Sequence, residues 1–336
     1  MSSPPRRLDR RTCLAGIAAS VPAVAVARAR DYHAVVVQPG RAAPAGRRFA
    51  SIAEALSGAR DGATIWIGAG VWREKLTVVT PNLTLIGEDR GGTRLSFDAA
   101  AGLSRPDGTP WGTFGSATLS VTAPGFAARN LTIENGFDPA NASLSAERPR
   151  GQQAVALMLG EGSERAAFDG VDIVGRQDTL LANAGRAVFR RCLVSGTVDF
   201  IFGAGEARFE GCEIRSRRPN VPSGPGYVAA PSTSLGQAAG LSFVGCRLTR
   251  EEGVADGSVF LARPWRPTRR FADGSYGDPD AAGLAMFERC WMDSHIAAAR
   301  WSAMTYHDRA GQVVALTPAE ARFTERGSMG PGARRR

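Results

Sequence analysis

The stretch from Gln177 to Gly203 reads QDTLLANAGRAVFRRCLVSGTVDFIFG. It places two acidic residues, Asp178 and Asp199, in apolar, strand-like text, 21 residues apart. The same interval recurs around it. Six segments share one pattern: GFAARNLTI (125–133), AAFDGVDI (166–173), AVFRRCLV (187–194), ARFEGCEI (207–214), LSFVGCRL (241–248) and AMFERCWM (285–292). Each has Phe, two variable residues, a position often filled by Cys, then alternation ending on an apolar side chain. Phe168, Phe189 and Phe209 follow one another at 21 and 20 residues, and Phe243 and Phe287 come at longer intervals. A fixed period of this length marks a solenoid, in which each repeat buries its apolar face against the next. Short alternating runs bounded by Gly, Asn and Asp make the repeats β rather than helical. No long amphipathic helices alternate with them, which excludes a doubly wound α/β sheet. The expectation is an all-β chain: a single parallel β-helix, one coil per repeat, with insertions leaving as long loops along one face.

In such a coil, residues one period apart lie on neighbouring parallel strands about 4.8 Å apart. Asp178 and Asp199 are then neighbours on one face. Two adjacent carboxylates cannot both ionise cheaply, so one stays anionic and the other holds a proton. That division suits a nucleophile and a general acid. The plainer alternative is a pair of exposed carboxylates at coil corners; the apolar flanks of Asp199 (Val198, Phe200, Ile201, Phe202) weigh against it. Gln152-Gln153-Ala154-Val155-Ala156-Leu157 places amides about one coil before Gln177. Stacked glutamines can donate to a developing oxyanion, or simply form an amide ladder. Arg263, in Leu261-Ala262-Arg263-Pro264-Trp265, can hold a carboxylate in bidentate fashion, and Trp265 can stack on a sugar ring.

The 336 residues, 43% hydrophobic and 22% charged, suffice for one large domain. The formal charge of +9 favours polyanionic partners. It is carried almost wholly by Arg, since Lys75 is the single lysine, and no nucleic-acid-binding motif accompanies it. Residues 1–30 read as an export signal. Arg10-Arg11 precede the apolar run Leu14–Ala27, and small-residue cleavage sites follow near Ala27 and Ala29. The run is too short and Ala-rich for a membrane span, so the mature chain is expected to be periplasmic or extracellular with no span. The domain is placed at 31–327, and the basic residues 328–336 are expected to be a disordered tail. Ser51-Ile52-Ala53-Glu54 reads as a capping box opening a short helix that covers the N-terminal end of the solenoid. Trp72 and Glu74 are assigned to a structural turn. Cys192, Cys212, Cys246 and Cys290 occupy equivalent repeat positions. A Cys192–Cys212 disulfide is expected, against an inward ladder of small thiols as the alternative. With His33, His295 and His307 isolated from one another and no CxxC, no metal site is expected.

Together Gln153-Ala154-Val155-Ala156-Leu157, Gln177-Asp178-Thr179-Leu180, Gly196-Thr197-Val198-Asp199-Phe200-Ile201-Phe202-Gly203 and Leu261-Ala262-Arg263-Pro264-Trp265 resemble the pectin methylesterase family over nearly the whole mature chain. The WGTFGSAT text at 111–118 and GYVAAPST at 226–233 are similar to its bacterial branch. The resemblance implies a right-handed parallel β-helix esterase without a cofactor, acting on methyl-esterified homogalacturonan, and a monomer is expected. It implies Asp199 as nucleophile, Asp178 as acid and then base, Gln153 and Gln177 as oxyanion donors, and Arg263 as the group that fixes Asp199. Trp265 and Phe202 then line the sugar cleft, with Thr109 and Met304 beside them. Three positions depart from the pattern: Leu181 stands where Tyr is usual, Trp72 interrupts the Gly-x-Tyr-x-Glu text, and Ala262 replaces the Gly before Arg-Pro-Trp. None removes a catalytic group. Rival readings are an esterase or thioesterase of the same fold, a non-catalytic polysaccharide-binding solenoid, and a pectate lyase, which needs Ca²⁺ ligands not evident here.

Overall fold

The structure is a computed structural model that describes residues 32–142, 151–219 and 224–333. The 20–21-residue period appears as three long parallel sheets wound by one chain, of 11, 8 and 7 strands, with two small antiparallel hairpins outside them. This is a parallel β-helix. Its register is the one the Phe positions require: Phe168 pairs with Phe189, Phe189 with Phe209, Phe209 with Phe243, and Phe243 with Phe287. Their rings stack inside the coil at centroid separations of 4.6, 4.7, 4.8 and 4.4 Å and nearly parallel planes. All five are essentially inaccessible to solvent. Each such ring is worth roughly 1.5–3 kcal/mol in burial, with about 0.5–1.5 kcal/mol more per stacked pair.

The helix Ile52–Ser57 opens with the Ser51 hydroxyl accepting from Glu54 N at 3.1 Å. The partner carboxylate is Glu74, not Glu54: Glu74 accepts from Ile52 N at 2.9 Å and Ala53 N at 2.8 Å. A carboxylate at a helix N-terminus satisfies orphan N–H groups and favours the dipole, so Glu74 is structural, as its turn context suggests. Ile52 and Ala55 turn inward and close the first coil.

Two further expectations are corrected. The four cysteines are buried free thiols, and Cys192 and Cys212 form no disulfide. Cys192 and Cys212 lie in equivalent turns, each just before a strand, and those strands pair Leu193 with Glu213; equivalent side chains one coil apart point the same way at about 4.8 Å, whereas a disulfide needs Cβ atoms closer and turned toward each other. The thiols donate to the backbone instead: Cys212 Sγ lies 3.3 Å from Phe189 O, Cys246 Sγ 3.4 Å from Phe209 O and Cys290 Sγ 3.4 Å from Phe243 O. The residues after Gly327 are not loose either. Met292 N donates to Met329 O at 2.8 Å, and Gly332 N donates to Met292 O at 3.0 Å, so residues 328–333 seal the C-terminal end. An apolar core left open there would be exposed, and this segment covers it. The export signal and residues 334–336 lie outside the described residues.

Candidate active site

The seven-stranded sheet carries the site. Five of its strands, Leu157–Leu159, Leu180–Ala182, Ile201–Gly203, Gly226–Pro231 and Val259–Ala262, are adjacent in that order, the last at the sheet's edge. Leu157 pairs with Leu180, Leu180 with Ile201, Ile201 with Ala229, and Ala229 with Ala262. Counting two residues back from Leu180 and Ile201 brings Asp178 and Asp199 side by side at the entry to their strands. Both lie in the left-handed backbone region, φ 64° for Asp178 and 49° for Asp199. Asp tolerates that region better than most residues, and the resulting kink points each carboxylate off the strand's alternation.

Close backbone contacts hold the kink. Asp178 N donates to Val198 O at 3.0 Å. The Thr179 hydroxyl donates to Arg176 O at 3.0 Å and Ser195 O at 3.1 Å. A Cβ at Gly196 would lie 2.2 Å from the Phe200 Cβ and 2.6 Å from Arg176 O, so the first glycine of the GTVDFIFG motif admits no side chain.

The two carboxylates are 8% and 6% exposed, yet their surroundings differ. Arg263 grips Asp199 with both arms, Nε to Oδ1 at 2.8 Å and Nη2 to Oδ2 at 2.7 Å. Burial raises the Asp199 carboxyl above its ordinary value, and the Arg263 hydrogen bonds and charge offset only part of that rise. Asp178 has no such partner. Burial and then the Asp199 charge raise it well above the ordinary carboxylate range, against weaker opposition from Arg263 and a Gln177 side-chain hydrogen bond. The contacts thus favour the anion at Asp199 and the proton at Asp178.

The other candidates fall at graded distances from this pair. Ala154 N donates to Gln177 O at 3.1 Å, which sets half-buried Gln153 one residue off the Gln177 level on the neighbouring coil. Phe202, Leu181 and Ala230 sit in register and form one buried apolar floor with Val155 and Ala117, on which Met158 and Trp265 pack. The Trp265 ring meets Phe202 at 5.6 Å, tilted by 59°. Leu181, where an aromatic is usual, is wholly buried in this floor. Met304 begins the hairpin Met304–His307 and Val313–Leu316; Ser302 N donates to Ala262 O at 3.1 Å, bringing the hairpin alongside the strand that carries Arg263. Thr109 is exposed in a turn, its hydroxyl 2.6 Å from Asp107 Oδ1, on the loop at the N-terminal end of the same sheet; no contact joins it to the carboxylates.

One residue escaped the sequence reading. The Tyr227 ring lies under the Arg263 guanidinium at 3.8 Å and stacks on Phe260 at 5.7 Å. It occupies the Asp199 position one strand further on. The signal was present in Gly226-Tyr227-Val228, but the irregular stretch before it hides the register.

Comparison with known proteins agrees with this geometry. The pectinesterase family profile matches residues 34–272. Pectinesterase A of Dickeya chrysanthemi is 42% identical over 316 residues, 91% of this chain and 85% of that protein. Among solved structures, the pectin methylesterase PemA from Erwinia chrysanthemi superposes with a TM-score of 0.84 at 40% identity, covering 91% of each chain. A pectin methylesterase crystallised in complex with a hexasaccharide superposes with a TM-score of 0.86 at 39% identity, again over 91% of each.

Proposed function

The chain belongs to the pectinesterase family, a family of carboxylic ester hydrolases, and from that premise we infer that it converts methyl-esterified galacturonate units of pectin to free acid and methanol through an Asp199 acyl-enzyme. The observation that carries the residue roles is the inequality of the two buried carboxylates: one held by a bidentate Arg263, the other pushed up by burial and by the first.

An Asp199 oxygen attacks the ester carbonyl carbon, and the carbonyl oxygen becomes an oxyanion. Gln153 and Gln177 donate amide N–H groups to it. One Gln177 donor serves Asp178, which leaves the second for the oxyanion. As the tetrahedral species collapses, the bond to the methoxy oxygen breaks and Asp178 gives that oxygen its proton, so methanol leaves neutral. The acyl-enzyme is a mixed anhydride on Asp199. Asp178, now a carboxylate, takes a proton from water while the water oxygen attacks the acyl carbon. The second collapse frees the Asp199 carboxylate and a galacturonate. Arg263 stays charged throughout and keeps Asp199 both anionic and aimed. Phe202 and Trp265 offer an apolar floor and an aromatic face to the sugar chain.

The Asp178 role is tested by changing the leaving group. In kcat/KM, which reports acylation and not the acyl-enzyme hydrolysis common to both esters, Asp178→Asn should lose far more on the methyl ester than on an activated aryl ester of galacturonate, whose phenolate needs no proton. Equal losses on both esters would remove Asp178 as the acid. The Arg10-Arg11 leader supports export as a further part of this proposal; N-terminal sequencing of secreted protein should find cleavage near Ala27 or Ala29.

A further inference from the structure

Lys75 immediately precedes Leu76–Val78, the outermost strand of the site sheet. Leu76 pairs with Leu119, Leu119 with Leu157, Leu157 with Leu180, and Leu180 with Ile201. Lys75 thus sits four strand spacings from the Asp199 strand, roughly 19 Å at about 4.8 Å each. Its ammonium donates to the carbonyl of Ala117, a residue of the buried cluster that holds Phe202 and Leu181, at 2.5 Å. It also lies 5.2 Å from the Trp111 ring centre, while the Arg105 guanidinium lies 5.1 Å from the same ring.

Two cations thus share one indole, and among the described residues no carboxylate is paired with either at bonding distance. The acidic neighbours are engaged elsewhere. Glu74 caps the Ile52–Ser57 helix. Asp107, the acidic group that feels Arg105, is exposed and bound to Thr109 N and Oγ1. Arg105 Nε is buried without a partner. Burial and then the Arg105 charge pull the Lys75 amine down to about 8, the behaviour of a cation lacking a counterion. A sugar acid has the complementary chemistry: a ring to lie on Trp111 and a carboxylate for Lys75 and Arg105.

Resting on the esterase reading above, we propose that Lys75, Arg105 and Trp111 form a distal subsite for an already de-esterified galacturonate unit. A chain anchored there by its free carboxylate presents a unit several residues away to Asp199.

De-esterified hexagalacturonate carries no ester, so the wild-type protein can be titrated with it without turnover. Calorimetry should show about tenfold weaker binding to Lys75→Met than to wild type, with Lys75→Arg restoring most of it. A weakening below threefold in folded Lys75→Met overturns the subsite. The sole lysine allows a second measurement without mutation. After reductive ¹³C-methylation, its NMR titration midpoint should move up by about one unit on saturation with hexagalacturonate, the linkage expected of tenfold preference for the charged amine. An unmoved midpoint overturns the proposal as well. Neither readout requires methanol release, so failure of the esterase reading would be seen separately.

Discussion

Replacing Arg263 by Leu isolates the electrostatic half of the site. Arg263 makes two charge-assisted hydrogen bonds to Asp199, at 2.8 and 2.7 Å, inside a site where Asp199 is 6% exposed. Removing one member of a buried ion pair typically costs 3–5 kcal/mol, because the remaining charge is uncompensated. Asp199 escapes that cost by taking up a proton, which abolishes it as a nucleophile. At about 1.4 kcal/mol per tenfold, the anionic fraction and kcat/KM at neutral pH should fall by up to roughly 10²–10⁴. The sign across pH follows from the same contacts. Arg263 lowers both carboxyls, so without it both move up, and both limbs of the pH–kcat/KM profile shift to higher pH. Activity of Arg263→Leu should therefore recover partly as pH rises, with the melting temperature monitored throughout. A loss under tenfold, or one independent of pH with an unmoved acid limb, would refute the claim that Arg263 acts by keeping Asp199 ionised.

Three further outcomes follow from particular contacts. Tyr227→Phe should be nearly neutral because the ring face under Arg263 remains, while Tyr227→Leu, which removes a contact worth roughly 0.5–2 kcal/mol, should cost about 3–30-fold in kcat/KM and move the acid limb upward; equal behaviour of the two would contradict a positioning role. Cys192, Cys212, Cys246 and Cys290 should be silent to a disulfide reagent in the native protein, since Cys212 and Cys246 are buried and pushed up to about 12, and all four should titrate after denaturation; recovery of two would restore a disulfide. His295 is fully buried with both ring nitrogens unpartnered, and burial pulls it down to about 4, with Asp293 and Asp256 opposing and Arg250 assisting. Its folded value lies below the usual 6.5, so the unfolded chain binds the proton first and stability falls as pH drops from about 6.5 to 4, by on the order of 2–3 kcal/mol; His295→Leu should flatten that part of the urea-unfolding profile, and an unchanged pH dependence would contradict it.

The repeat was legible wherever consecutive coils have equal length. Phe168, Phe189 and Phe209 declare their stacking in the sequence because nothing interrupts the coils between them, and the same regularity places Asp199 beside Asp178. Legibility failed where local spacing says nothing about direction or distance. The coil position of Cys192 and Cys212 was readable, but in-register thiols point along the same vector, which spacing alone does not reveal. Tyr227 follows an insertion that breaks the count, so its place beneath Arg263 emerges only from strand register. Lys75 and Trp111 are 36 residues apart in sequence and meet because a loop folds back over the sheet edge. The residues after Gly327 look like solvent-exposed tail by composition, yet backbone hydrogen bonds to Met292 dock them. Backbone pairing leaves little trace in residue type.

The most direct measurement is methanol release from highly methyl-esterified pectin by purified wild-type protein and Asp199→Asn side by side. Asn keeps the shape of Asp199 and loses its charge. The account predicts methanol from the wild type, with no UV-absorbing unsaturated product, and almost none from an Asp199→Asn protein that still melts cooperatively. Comparable methanol from both would contradict Asp199 as the nucleophile.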